Sequence, residues 1–163
     1  MSVIYCIDSC SFIDAGERYY PQDIFPAFWD RLEVLLDAGR LKAPVTLLEE
    51  LQRKDDVWRE WVYAREEKLI VPPDAQLFDV VKEVVAQYQA QNPPQFNPDK
   101  LTGDPFFIAL AKCHGMTLIT TEQSRAGGFR IPAICRPLGV KTTTLLDMIR
   151  QEGWRFWWCR VSE

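Results

Sequence analysis

The stretch LTGDPFFIALAKCHGMTLITTE, from Leu101 to Glu122, constrains the fold more than any other part of the chain. It reads as turn, helix, turn and strand, with a carboxylate at either end. Gly103 and Asp104 break the chain, and Pro105 stands at the first helical position, where its missing N–H costs nothing. Phe106, Phe107, Ile108, Leu110 and Ala111 make the helix strongly apolar. Gly115 supplies a left-handed stop, and Met116 to Thr120 is a β-type run. A helix of about 10 residues advances roughly 15 Å, and a strand of about five residues at ~3.3 Å each returns nearly as far. Asp104 and Glu122 therefore finish at the same end of the unit. Each also has a plainer reading, Asp104 as a helix cap and Glu122 as an exposed loop acid.

The 163 residues are expected to form one domain, with a core over about 3–149 and an aromatic tail from 150 to 163. Hydrophobic residues at 47% and charged residues at 26% are those of an ordinary globular protein. No apolar run approaches the ~18 residues of a membrane span, and Asp8 inside MSVIYCIDSC argues against a signal peptide. Five cysteines without a CxxC pair, and the single histidine His114, exclude a zinc-finger pattern and chemistry built on several histidines. A reducing cytoplasm fits this cysteine usage. The net charge of −4 argues against a general nucleic-acid coat but does not exclude a nuclease whose acidic site holds metal ions.

Ser2 to Asp8 (SVIYCID) has the composition of a buried strand, and Asp8 stands at its C-terminal end before the small polar run Ser9, Cys10 and Ser11. Ligands of open α/β sheets bind at the carboxyl ends of strands. Asp8 therefore reads as a site residue, or else as the cap of a short helix from Ser11 to Ala15. Asp14 is close enough in sequence to face the same cleft or to be solvated. From Asp23 to Ala38, Phe25, Phe28, Trp29, Leu32, Leu35 and Leu36 recur at helical spacing as core residues, and Gly39 ends the run.

A short strand at Leu41 to Ala43 precedes a helix, PVTLLEELQR, from Pro44 to Arg53. Its Glu49 and Glu50 flank the apolar arc on opposite sides, and periodicity does not choose between them. A helix over Asp55 to Lys68, a strand-like Leu69 to Val71, and an amphipathic helix from Ala75 to Gln91 follow, then the proline-rich connector NPPQFNPDK. After Glu122, Ile131 to Cys135 and the residues from Val140 are expected strands, and Thr144 caps a helix running to Gln151. In the tail WRFWWCRV, Trp154, Phe156 and Trp158 alternate as on a strand, either packed on the domain or offered to a partner or a second copy. The alternation of strands and helices points to α/β with a mainly parallel sheet.

Asp8, Asp104 and Glu122 thus reach one edge, with Glu49 or Glu50 available from a helix. Like charges raise one another's pKa unless a cation neutralises them. Oxygen ligands without thiolate or imidazole favour Mg2+ or Mn2+. Such ions acidify water and stabilise charge on a phosphate. The chemistry expected is metal-dependent phosphodiester hydrolysis.

The segments YCIDSCSFID, PVTLLEELQR, GDPFFIALAKCHGMTLITTE and IPAICRPLGV, in this order, resemble a PIN-like domain. With the YYP and FPAFWDRL run between Tyr19 and Leu32, they are similar to a bacterial branch of PIN-like proteins catalogued as a domain of unknown function. The similarity covers roughly Val3 to Ile149. The resemblance implies a three-layer α/β/α fold with a mainly parallel central sheet, an acidic Mg2+ or Mn2+ site, and ribonuclease activity, often as the toxin of a toxin–antitoxin pair.

Within that resemblance, Asp8 matches the first-strand aspartate, Glu50 matches the helix glutamate better than Glu49, and Asp104 matches the third acid. Glu122 falls where the family often has an aspartate. Asp8 and Asp104 would be the main metal ligands, with Glu50 and Glu122 binding directly or through water and Ser9 and Thr120 in support. Arg125, Arg130, Arg136 and Lys141 are candidates for phosphate contacts. The partners implied are an RNA substrate, an antitoxin protein and a second copy of the chain. An alternative of another class is a PIN-like module that binds RNA or protein without cutting. A haloacid-dehalogenase-like phosphatase would need an acid two residues after Asp8, where Cys10 stands.

Overall fold

The computed structural model describes residues 2–52, 57–91, 103–121 and 131–156. Strands β1 (Tyr5–Ile7), β2 (Leu41–Pro44), β3 (Ile70–Val71), β4 (Thr117–Ile119) and β5 (Thr142–Thr143) form one sheet in the order β3-β2-β1-β4-β5. Every pairing is parallel. Central β1 is buried along its whole length, which is why its sequence runs apolar without alternation. From β1 the chain winds outward to β2 and β3, crosses back, and winds outward again to β4 and β5. The direction reverses between β1 and β4, and in open sheets of this kind the crevice beyond those two strand ends is where ligands bind.

Helix α1 (Ser9–Asp14) runs into a π-helical turn (Ala15–Tyr19). Then come α2 (Pro26–Asp37), α3 (Thr46–Gln52), α4 (Val57–Tyr63), α5 (Glu66–Leu69), α6 (Ala75–Gln91), α7 (Asp104–His114), α8 (Ile131–Cys135) and α9 (Leu145–Gln151). Neighbouring residues of a strand face opposite sides of a sheet, and β1 shows what covers each side. The Cys6 thiol donates to the carbonyl of Phe107 in α7 at 3.7 Å. The Tyr5 hydroxyl donates to Glu152 beyond α9 at 2.8 Å. Helices α6, α7 and α8 pack together on the Cys6 side. On the other, Phe28 of α2 meets Trp154 at 6.0 Å between ring centroids. The result is three layers, α/β/α.

Phe28, Trp29, Leu32, Leu35 and Leu36 are core, as their spacing predicts, whereas Phe25, expected with them, is the N-cap residue before α2 and is 37% exposed. Trp29 stacks on Trp58 at 5.0 Å, and Phe12 packs against Trp61 at 5.4 Å. In α7, Phe107, Ile108 and Leu110 are fully buried, each contributing roughly 1.5–3 kcal/mol relative to exposure. Gly115 ends α7 in the left-handed region at φ 62, and Met116 N–H returns to the Ala111 carbonyl at 2.8 Å. At the opposite end of β1 from the site, Arg40 grips Glu152 with two hydrogen bonds of 2.6 and 3.0 Å and the Val3 carbonyl with a third of 2.9 Å.

Three expectations are corrected. Ile131–Cys135 is the helix α8, not a strand. Pro132 cannot donate within a sheet but fits the first turn of a helix, and its carbonyl accepts from Arg136 N–H at 3.2 Å. The helix expected over 55–68 divides at 64–65 into α4 and α5, where Arg65 turns back to pair with Glu33 and lies 4.2 Å from the Trp61 ring centre. In the tail, residues 154–156 are not a strand, and Trp154 is half-buried against the core; the rest of the tail lies outside the described residues. Helix α6 keeps the bounds that its periodicity predicts.

Candidate functional site

Strand β1 delivers Asp8 to the reversal point of the sheet, where it is 3% exposed. Its N–H bonds the Ile119 carbonyl of β4 at 3.1 Å, and the N–H of Thr120 bonds the Thr143 carbonyl of β5 at 3.0 Å. Asp8, Thr120 and Thr143 therefore stand in a line across three strand ends. Asp8 also caps α1, its Oδ1 accepting from Ser11 N–H at 2.6 Å. The plain capping role is thus real, and it occupies one of the two oxygens.

Glu50 comes from α3. Its Oε1 accepts from the Gly103 N–H at 3.0 Å, whereas Glu49 is exposed. A tertiary contact, invisible to periodicity, distinguishes the two glutamates. A Cβ on Gly103 would lie 2.3 Å from that oxygen and 2.4 Å from Cγ2 of Thr46, so glycine alone leaves room for the approach. Gly103 is also the N-cap of α7, and it makes Asp104 the first helical residue and Pro105 the second. The capping role expected of Asp104 therefore falls to another residue. Its carboxylate stands in the first turn, where unsatisfied N–H groups favour negative charge.

Asp8, Ser9, Ser11, Thr46 and Thr120 are the buried polar and charged residues among the described ones. All five lie at this edge, and the rest of the interior is apolar or aromatic. A concentration of buried polar groups in one place is far more informative than any exposed charge. Cys10, a free thiol at the start of α1, reports the electrostatics. Partial burial raises its pKa, and the charges of Asp8, Asp104, Glu50 and Asp14 push it further, to about 11. Acids from β1, α3 and α7 thus act on one point. Asp14 pairs in addition with Arg18 at 3.3 Å.

Among the described residues, no three His, Cys, Asp or Glu side chains lie close enough together to hold a metal ion. Ser11 N–H holds Asp8, and Gly103 N–H holds Glu50. In kind, a carboxylate-only donor set fits a hard divalent cation. In position, the acids surround a common region without reaching ligand spacing. Glu122, Arg125 and Arg130 lie outside the described residues.

Ser9 is buried in the first turn of α1. Arg136 and Lys141 are exposed and line, together with Thr120, a cleft of about 570 Å3 along β5. Sequence reasoning finds Thr120 but not Thr46, the acceptor role that Glu50 plays for Gly103, or Thr142 and Thr143 of this cleft. The run KTTT, Lys141 to Thr144, was the available signal for the last of these.

A family model described as "Domain of unknown function (DUF4411)" matches residues 5–156. The chain belongs to this family. No curated protein matches this DUF4411 chain. Its structure is similar to DNA-bound VapBC from Salmonella typhimurium, at 16% identity over 88% of this chain and 98% of that one, with a TM-score of 0.56. It is also similar to a VapBC complex from Rickettsia felis bound to a DNA fragment from its promoter, at 16% identity, 87% and 98% coverage, and a TM-score of 0.53. FitAcB from Neisseria gonorrhoeae gives 16% identity, 85% and 96% coverage, and a TM-score of 0.52. At such identities the likeness is one of fold, and the fold is the PIN-like α/β/α arrangement that the sequence motifs resemble. No helix among the described residues of the DUF4411 chain is long and apolar enough to cross a membrane.

Proposed function

We propose that this protein is a metal-dependent ribonuclease that hydrolyses RNA phosphodiester bonds, and that it is the toxin of a toxin–antitoxin pair acting in the cytoplasm. The observation that supports the reading is the placement of Asp8, Glu50 and Asp104 around a common region at the reversal point of the sheet, each near enough to act on the Cys10 thiol. Likeness in fold to the VapBC and FitAcB complexes supports it and makes an antitoxin the implied protein partner.

Asp8, Asp104 and Glu50 are the residues that would hold Mg2+ or Mn2+, with Glu122 completing the set. Such an ion, when bound, supplies positive charge against the phosphate and acidifies water. The chain's own contribution is preorganisation. Ser11 N–H fixes the Asp8 carboxylate and Gly103 N–H fixes that of Glu50, so both keep their orientation before any ligand arrives. Ser9 and Thr46 are buried beside these acids. Thr120, buried at the end of β4, borders the cleft beside these acids.

The spacing of the acids favours, as the second reading, a PIN-like module that binds RNA or protein without cutting it. The two separate when purified protein is incubated with mixed-sequence single-stranded RNA in Mn2+, Mg2+ or EDTA. Fragments in the metal lanes alone are the expected result. Intact RNA in every lane, with folded protein, would move the conclusion to the binding module.

A further inference from the structure

Two hollows adjoin the acidic edge on the side of β4 and β5. The first is the cleft of about 570 Å3, whose walls include Thr120, Thr142, Thr144, Arg136, Lys141 and Asp147. The second is a recess of about 310 Å3 walled by Tyr19, Tyr20, Thr121, Thr144, Leu145 and Leu146, a size at the lower end of small-ligand pockets. Thr144 lines both, and Thr120 and Thr121 are consecutive, so the two hollows are neighbours and together make a path past the end of β4.

The two ends of the path differ in chemistry. Arg136 and Lys141 pair with no acid among the described residues and stand exposed on a chain of net charge −4. Asp147 in the same wall is engaged by Arg150 at 3.0 Å and by Thr144 at 2.9 Å, which offsets its charge. At the other end Tyr19 is 53% exposed and Leu146 48% exposed, an aromatic ring and an aliphatic side chain bordering one recess. Tyr19 closes the π-helical turn, a backbone form frequent at functional sites. Tyr20 beside it is fixed by stacking on Phe28 at 4.4 Å. Burial raises the Tyr20 hydroxyl pKa, and the charge of Arg150, itself paired with Asp147, works against that rise.

We infer that this path is a track for single-stranded RNA, with one unstacked base held at the Tyr19–Leu146 recess and backbone phosphates on Arg136 and Lys141. The inference rests on the nuclease reading for the reaction but on different residues. Cations bind the backbone without regard to sequence, an aromatic face accepts any base, and threonine hydroxyls suit phosphate or ribose oxygens. A partner helix would ask instead for a continuous apolar groove, and here the threonine hydroxyls and the charges of Arg136 and Lys141 interrupt the apolar surface. Tyr19 is a positioning residue here, setting which phosphate lies at the acids.

The test uses the full chain and a fluorescent single-stranded RNA, read by anisotropy in EDTA and by cleavage in Mn2+. Arg136→Ala with Lys141→Ala should weaken binding and reduce the slope of log affinity against log salt by about 1 to 2. Tyr19→Ala should weaken binding by about 5- to 150-fold, as loss of one stacked base does, and shift the cut positions. Tyr19→Trp should restore both. All three residues are exposed, so their loss leaves the fold intact. Unchanged RNA affinity in every variant, as expected if the path serves a protein partner, would overturn the inference even if the wild type cuts RNA. Conversely, wild-type protein that binds RNA through Tyr19 yet never cuts would sustain the track and defeat the nuclease reading.

Discussion

Glu50 and Gly103, 53 positions apart in the chain, are joined by a 3.0 Å hydrogen bond from the Gly103 N–H to the Glu50 carboxylate. The bond links α3 to the start of α7, where Asp104 stands. Gly103→Ala would drive a methyl group into Oε1 and into Thr46. The flexible carboxylate is expected to move away, displacing Glu50 while the helix persists. Cleavage should fall by about 100-fold, the scale of an ångström misplacement, and stability should fall as well, because Cγ2 of the buried Thr46 lies 2.4 Å from the added methyl. Activity at the wild-type level would show that Glu50 is not needed where it stands.

Asp8 serves two purposes that substitution can separate. Asparagine caps helices about as well as aspartate, so Asp8→Asn should cost little stability, whereas Asp8→Ala should cost about 1 kcal/mol. Both should lose cleavage by more than the roughly 10- to 100-fold typical of removing a metal ligand's hydrogen-bond partner. Urea denaturation alongside the RNA assay checks the pair. Full activity in Asp8→Asn would reduce Asp8 to a cap.

Cys10 gives a readout of the acids that does not depend on cutting. With a pKa of about 11 it reacts slowly with iodoacetamide at neutral pH. The carboxylates disfavour the thiolate, so neutralising them must lower the pKa and speed alkylation. Mg2+ should do so in the wild type, and Asp104→Asn should do so without metal, as followed at Cys10 by peptide mass spectrometry against pH. A rate indifferent to both would mean that the acids do not share a site around this thiol.

Acid sensitivity is expected at the far end of β1. For Glu152, desolvation raises the pKa but is outweighed by hydrogen bonds from Arg40 and Tyr5, so the net shift is downward from 4.5. A folded pKa below the unfolded one contributes stability that is fully present at neutral pH. That stability is lost as the pH falls below 4.5 through the lowered value. Arg40→Gln should cost about 2 kcal/mol at pH 7, the scale of hydrogen bonds to a charged group. The gap between variant and wild type should narrow toward pH 3 in urea denaturation. An equal gap at both pH values would contradict the assignment.

Periodicity made the longest elements legible. Helix α6 and the α7–β4 unit carry enough turns of apolar spacing for one pattern to dominate, and Thr144 announces α9 by its own chemistry, accepting from Asp147 N–H at 3.1 Å. Short apolar runs are ambiguous, and Ile131–Cys135 shows why. Five residues cannot separate period two from period 3.6, and only Pro132 spoke for a helix.

The site was partly legible for a related reason. Asp8 ends a strand, and strand ends are identifiable from one segment alone. The choice of Glu50 over Glu49, and the passing of the cap from Asp104 to Gly103, depend on a contact between α3 and α7 that no local pattern contains. The Tyr19 recess likewise draws on segments more than a hundred residues apart.

The most direct test of the nuclease account compares wild type with an Asp8→Asn, Asp104→Asn double variant on one single-stranded RNA in Mn2+, with circular dichroism confirming that both are folded. The account predicts fragments from the wild type, none from the variant, and none from either in EDTA. Fragments of equal yield from the variant would place the chemistry elsewhere than at the ends of β1 and the start of α7.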